Sequence, residues 1–278
     1  MIPLTPFSKW EGLGNDFILV AGSPPDQASL LAQQWCQRRS GIGADGLVFV
    51  DDTLRMVIYN SDGSRGAICG NALRCVAAWW HQQGKLAPGQ TLEVITDSGP
   101  RPLLLVSPHW VEVNMQEPQE VPGCDNVLPL PEIGLPGHFV SLGNPHLVVL
   151  CPEGLPNEAD FLRWGQAWQT ASFSPPGGVN VEFVARQRER LKVLVWERGV
   201  GPTPACGTGA CAALVTAVRV GWVHGPTWVD LPGGALQVAW QGHGPVWMSG
   251  PARHVFEGTF ALNDFPSLHP PEVTPCTR

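Results

Sequence analysis

The chain repeats itself at a fixed interval, and few folds are compatible with that. Cys69 and Cys206 stand 137 residues apart, as do Asn60 and Glu197 at the ends of "VIYN" and "LVWE", and Gly84 and Gly221 after two apolar runs. "GNDFILV" from Gly14 is echoed by "GNPHLVV" from Gly143, and Met115 of "VEVNM" by Met248 of "PVWM", the offset drifting where loops change length. Two like domains follow, expected at 1–117 and 118–252, with the boundary in the polar, Pro-rich stretch "QEPQEVPGCDNVLPLPEIGLPG" between Gln116 and Gly137. The segment "HVFEGTFAL", within 253–263, has no visible copy and is expected to return as a strand to the first domain. Residues 264–278, rich in Pro and polar side chains, read as a loosely held tail.

Strand-like runs such as "DFILVAG", "LRMVIYN", "LEVIT", "HLVVL" and "LKVLVWE" alternate with few helical ones, and Gly/Pro turns separate them. The expected class is α+β. Helical periodicity is present at "SLLAQQWCQRR" and "NEADFLRWGQAWQTA". The runs from Cys69 to Gln83 and from Cys206 to Val220 are apolar on nearly every face, so each helix has to be enclosed by other structure.

Both enclosed helices open with Cys-Gly, and that junction carries chemistry. A helix N-terminus presents unpaired N–H groups and a partial positive charge, which favours a thiolate and lets an anion dock beside it. Gly70 and Gly207 remove side chains that would block a close approach, and Asn71 and Thr208 supply further N–H donors. Two such ends face to face would cradle a carboxylate between two thiols. Inverting the α-carbon next to that carboxylate needs a base on one face and an acid on the other, and a duplicated chain supplies one of each.

Several other readings fall away. A net charge of −7, with Lys and Arg scattered, lacks the basic footprint of nucleic-acid binding. No segment approaches the roughly 18 apolar residues of a membrane span, and "MIPLTPFSKW" does not read as a secretory leader, so a cytoplasmic location is expected. Cys36, Cys75, Cys124, Cys151, Cys211 and Cys276 read as structural or surface thiols. "GIGADG" from Gly41 fits the dinucleotide fingerprint letter by letter, yet a helical run precedes it and the strand "LVFV" follows, the reverse of the required order. Pyridoxal phosphate needs a Schiff-base lysine, and Lys9, Lys85 and Lys192 lie in no site-like motif. Cys69 with Cys75, and Cys206 with Cys211, each share one helix and make a poor tetrahedral cage. No cofactor and no metal are expected. The twelve Trp read as packing residues.

The ordered motifs "GLGNDF", "YNSDGS", "CGNALRC", "GNPH", "VNVEF", "ERGVG", "ACGTGACA", "LPGG" and "SGPARHVFEG" span nearly the whole chain, and in order and spacing it resembles the diaminopimelate epimerases. The resemblance implies interconversion of LL- and meso-2,6-diaminopimelate without pyridoxal phosphate, in the biosynthesis of lysine and peptidoglycan precursors. It also implies two similar pseudo-symmetric domains, each a β-barrel-like sheet around a central helix. The catalytic cysteines of that family correspond to Cys69 and Cys206, and its reacting-end carboxylate site to the backbone of Gly70, Asn71, Gly207 and Thr208. Asn15, Asn60, Asn144, Asn180, Glu197 and Arg198 correspond to its substrate ligands, mostly at the distal end. His146 and Glu197 correspond to the groups that tune the cysteines. Their chemistry suits those roles, because a guanidinium fork fits a distal carboxylate and a carboxylate fits a distal ammonium. The partner is then a small molecule, with no nucleic acid and no membrane; a homodimer stays open.

Two positions depart from the family pattern: Ala72 stands where "CGNG" is common, and Gly46 where some members carry Gln. One alternative is a two-cysteine amino-acid racemase of broader specificity, which would not need Glu197, Arg198 and the Asn set. Another is a non-catalytic thiol or metal-binding protein, which metal content and thiol titration would separate from an enzyme.

Overall fold

Each half of the chain spells the same series of elements. The structure, a computed structural model, describes residues 4–261. The first half runs β1 (Leu4–Gly12), β2 (Asn15–Ala21), α1 (Ala28–Trp35), β3 (Gly46–Val50), β4 (Met56–Asn60), β5 (Arg65–Gly66), α2 (Gly70–Gln82), β6 (Thr91–Thr96), β7 (Gly99–Ser107) and β8 (Trp110–Asn114), and is followed by β9 (Val127–Leu130). The second runs β10 (Leu135–Ser141), β11 (Pro145–Leu150), α3 (Glu158–Trp168), β12 (Asn180–Gln187), β13 (Arg190–Glu197), β14 (Gly201–Thr203), α4 (Gly207–Arg219), β15 (Thr227–Leu231), β16 (Gly234–Ala239) and β17 (Trp247–Pro251), and is followed by β18 (Arg253–Ala261). Cys276 and the tail 264–278 lie outside the described residues.

The trailing strands are exchanged. β18 returns to pair antiparallel with β1, and β9 pairs antiparallel with β10. The segment read as unrepeated therefore has a copy, hidden inside the Pro-rich stretch read as a boundary. β9 escapes recognition because it is short and contains Pro129, which an edge strand tolerates since it needs no donor on its open side. The sheets run in the order β18-β1-β2-β3-β4-β5 and β6-β7-β8-β17-β16-β15-β13-β12-β11-β10-β9, with β14 paired to β13. Pairing of β8 with β17 makes one continuous sheet across both halves. In the second half β13 and β15 close by a parallel ladder, whereas the matching closure of the first half is the single parallel bridge Arg55↔Ile95.

Strand alternation explains the layers. In β3, Leu47 and Phe49 face outward beneath α1, while Val48 and Val50 face the core around α2. In β12, Val181 and Phe183 pack outward with Phe161 and Trp168 of α3, and Val184 faces the core around α4. The enclosed helices are buried from Gly70 to Trp79 and from Gly207 to Ala217, as their all-round apolar sequences require. Among the described residues, no helix is long and apolar enough to cross a membrane.

Candidate active site

Both thiols are reached the same way. After Asn60 and after Glu197 the chain doubles back through β5 and β14 and then enters a helix at Cys69 or Cys206. Each cysteine is the N-cap, extended at φ −143°, ψ 113° and at φ −124°, ψ 113°. A Cβ on Gly70 would lie 2.8 Å from Met248 Cε, and one on Gly207 would lie 3.0 Å from Met248 Sδ. The two helix ends therefore press on one thioether, and Asn71 Oδ1 of α2 lies 3.8 Å from where a Cβ on Gly207 would sit. Two sets of free N–H groups and two partial positive charges converge there.

Around Cys69 the partners are amides. Its Sγ lies 3.8 Å from Asn15 Oδ1, which also accepts from Asn71 Nδ2 at 3.1 Å. Asn15 Nδ2 donates to Asp45 Oδ2 at 2.7 Å, and this carboxylate fixes which end of the amide faces the sulfur. Asp45 and Asp16 share Arg38, and Lys9 meets Asp16 at 2.8 Å. Burial opposes the charge on Asp16, but hydrogen bonds from Arg38 and Lys9 outweigh it and hold the carboxyl at about 2. A depressed folded-state value stabilises above the unfolded carboxyl range, and that stability is lost as pH falls toward about 2. Asp16→Asn is expected to melt lower than wild type at neutral pH, with the two melting curves converging as the pH approaches 2.

Around Cys206 the partners form a longer chain. Gly209 donates its N–H to Sγ at 3.4 Å, and the Thr208 hydroxyl lies 3.4 Å from the same sulfur. Asn144 Nδ2 donates to Thr208 Oγ1 at 3.3 Å, Asn144 Oδ1 meets His146 Nε2 at 3.0 Å, and His146 Nδ1 meets Glu182 Oε1 at 2.7 Å. Burial pushes the Cys206 thiol well above its ordinary value, with Glu197 and Glu182 adding to the effect. Burial pushes Cys69 up to about 11, opposed by the N–H of Ala72. Glu197 disfavours both thiolates, and its own carboxyl is raised by burial despite a 2.6 Å bond from the Thr203 hydroxyl.

With this geometry in place, the comparisons with known proteins decide the family. The profile described as Diaminopimelate epimerase matches residues 7–121 and 138–255. The chain belongs to the diaminopimelate epimerase family. A diaminopimelate epimerase of Desulforudis audaxviator is 42% identical over 275 residues, covering 91% of this chain and 98% of that one. One from Acaryochloris marina is 40% identical over 279 residues, with the same coverage of 91% and 98%. The fold extends further. A probable proline racemase from Agrobacterium radiobacter superposes with TM-score 0.70 at 15% identity, covering 95% of this chain and 94% of its own. A hydroxyproline epimerase from Agrobacterium vitis gives 0.68 at 17% identity, covering 94% and 93%.

The residues expected from the sequence to hold the distal end of a substrate fall into two groups. Asn180 Oδ1 accepts the backbone N–H of Arg198 at 2.9 Å, and Asn180 Nδ2 donates to Pro145 O at 3.0 Å. Arg198 is exposed, packs along Gly178, and donates to Gly178 O at 3.3 Å; its guanidinium pairs with no carboxylate among the described residues. Asn60 stands apart, exposed and held by Ser64 Oγ at 2.9 Å, although its strand partner Gly46 adjoins Asp45 of the Cys69 network. Sequence reasoning missed Glu182 and Arg74, which are 0% exposed. The signal was there in "VNVEF" and "CGNALRC", each a charge inside an otherwise apolar run.

Proposed function

We propose that this chain is a cofactor-independent isomerase interconverting LL- and meso-2,6-diaminopimelate by proton transfer between two thiols, Cys69 and Cys206, on opposite faces of the α-carbon. The observation that supports this reading best is the meeting of two cysteine-capped helix N-termini at Met248. The N–H groups of Gly70, Asn71, Gly207 and Thr208 bind the reacting-end carboxylate, whose charge suits paired helix ends. One thiolate takes the α-proton from one face and the other thiol delivers a proton to the opposite face. His146 and Glu197 tune the thiols. Arg198 takes the distal carboxylate and Glu197 the distal ammonium, while Asn15, Asn60, Asn144 and Asn180 present both donors and acceptors and reject the wrong distal stereoisomer by leaving polar groups unpaired.

Each half supplies one thiol, so the division proposed at 1–117, with the strand 253–261, and 118–252 puts the reaction between the domains. A reducing cytoplasm keeps both thiols free for a product used in making lysine and peptidoglycan precursors.

Incubation with LL-diaminopimelate in deuterated water and no added cofactor is expected to give meso product carrying deuterium at the inverted carbon from the first turnovers. Recovered substrate should stay nearly unlabelled at the same early time. Early product that keeps its original hydrogen would show a single base and end the two-thiol reading. Racemisation of alanine or proline as efficiently as diaminopimelate would replace the specific assignment with the broader racemase.

A further inference from the structure

The two halves match in backbone and differ in buried charge. His146 pairs with Asn180 across the parallel seam of β11 and β12 as Phe17 pairs with Gly46 across β2 and β3. Two residues further on, Glu182 stands opposite Val148 as Val48 stands opposite Leu19. Phe17 and Val48, both in the core, thus hold in the first half the places that His146 and Glu182 hold in the second. On the helices the difference runs the other way. Arg74 lies five residues past Cys69, and the residue five past Cys206 is Cys211. The Cys69 side therefore has a buried Arg74 that its twin lacks, and the Cys206 side a buried His146 and Glu182.

Arg74 is 0% exposed and meets no carboxylate among the described residues. Its Nε donates to Pro251 O at 3.1 Å, and its Nη2 donates to Asn71 Oδ1 at 2.9 Å. Gly12 and Gly250 make room for it, since Cβ atoms there would fall 2.9 Å from Nη2 and 3.1 Å from Nε. Asn71, held this way, donates to the Asn15 oxygen that faces Cys69. A buried cation without a counter-ion is costly alone and favours any anion formed beside it.

Glu182 is the opposite case. It is 0% exposed, its Oε1 holds His146, and its Oε2 has no hydrogen-bond partner among the described residues. A Cβ on Gly209 would come 2.7 Å from Glu182 Oε1 and 3.4 Å from Cys206 Sγ, so carboxylate and sulfur flank one position of α4. The matching position of α2 is Ala72, where a methyl group is accommodated above an apolar layer.

We propose that Arg74 and Glu182 impose a fixed order of ionisation on the two thiols, Cys69 first and Cys206 second. The inference rests on the two-thiol reading of the site. Glu197 at the end of β13 opposes both thiolates. Cys75 and Cys211, packed behind them on α2 and α4, stay protonated because burial pushes both far up. Asn15 on β2 is neutral, and His146 on β11 stands between Glu182 and Asn144. Asp45, behind Asn15, is paired with Arg38. What remains unequal and without an opposite charge of its own is the Arg74 guanidinium, bonded to Asn71 beside Cys69, and on the other side the Glu182 carboxyl against Cys206. Arg74 and Glu182 act through the thiols and are positioning residues.

The test is alkylation of the reduced full chain by limiting iodoacetamide across a pH series, without substrate, with the Cys69 and Cys206 peptides quantified by mass spectrometry. Only the thiolate reacts, so the pH midpoint of each rate reports ionisation, whereas accessibility changes the plateau. Cys69 is expected to have the lower midpoint by about one pH unit or more, a tenfold difference in thiolate fraction. Glu182→Gln keeps the shape and removes the charge, and should lower the Cys206 midpoint by about one unit while leaving that of Cys69 in place. Equal or reversed midpoints in wild type overturn the proposal, and this arm needs no variant to fold. A Cys206 midpoint that stays put or rises in Glu182→Gln also overturns it. Failure to epimerise diaminopimelate would defeat the functional reading and leave this order measurable, so the two failures are distinguishable.

Discussion

Cys206→Ala is expected to lower the rate of inversion by at least about a thousandfold from either stereoisomer, and Cys69→Ala to do the same. The symmetry of the loss is the informative part. In a two-thiol reaction each sulfur is base in one direction and acid in the other, so neither direction survives the removal of either group. Both variants should fold, because each cysteine is an N-cap whose extended backbone alanine can adopt, and Cys69 offers its helix no side-chain cap bond. Circular dichroism and thermal melts check that point, and stopped assays from LL- and meso-diaminopimelate check the activity. A Cys206→Ala enzyme that ran near the wild-type rate in one direction would place the second proton elsewhere, with His146, three hydrogen bonds from Cys206, the first residue to examine.

Arg198→Lys tests the distal end of the site. The substitution keeps the charge and loses the planar fork that grips a carboxylate with two parallel bonds. Charged hydrogen bonds are each worth about 1.5–3 kcal/mol, so kcat/KM for diaminopimelate should fall roughly tenfold to a hundredfold. Much of the loss should lie in KM, since the distal carboxylate is bound alike in the ground state and the transition state. Arg198 is exposed, which makes a folding defect a poor explanation for the loss. Unchanged efficiency would remove the guanidinium from substrate binding and favour the broader racemase.

The sequence by itself determined the duplication, the enclosed helices and the position of both thiols. These are local properties: a Cys-Gly before a run apolar on every face specifies an N-cap and a buried helix wherever it occurs. The family was also legible there, because nine short motifs in fixed order leave little freedom. Three things were decided only by the tertiary structure. The exchange of β9 and β18 was hidden because strand pairing is a long-range choice, and a four-residue strand with Pro129 carries almost no local signal. The convergence of both helix ends on Met248 depends on the pairing of β8 with β17, which no interval within either half encodes. The unequal charges behind the thiols were in plain view as letters, yet Arg74 and Glu182 read as ordinary charges on the chain. Burial at 0% exposure, with no ion pair for Arg74 and no hydrogen-bond partner for one oxygen of Glu182 among the described residues, is what turns them into sources of local potential, and burial is a property of the packed whole.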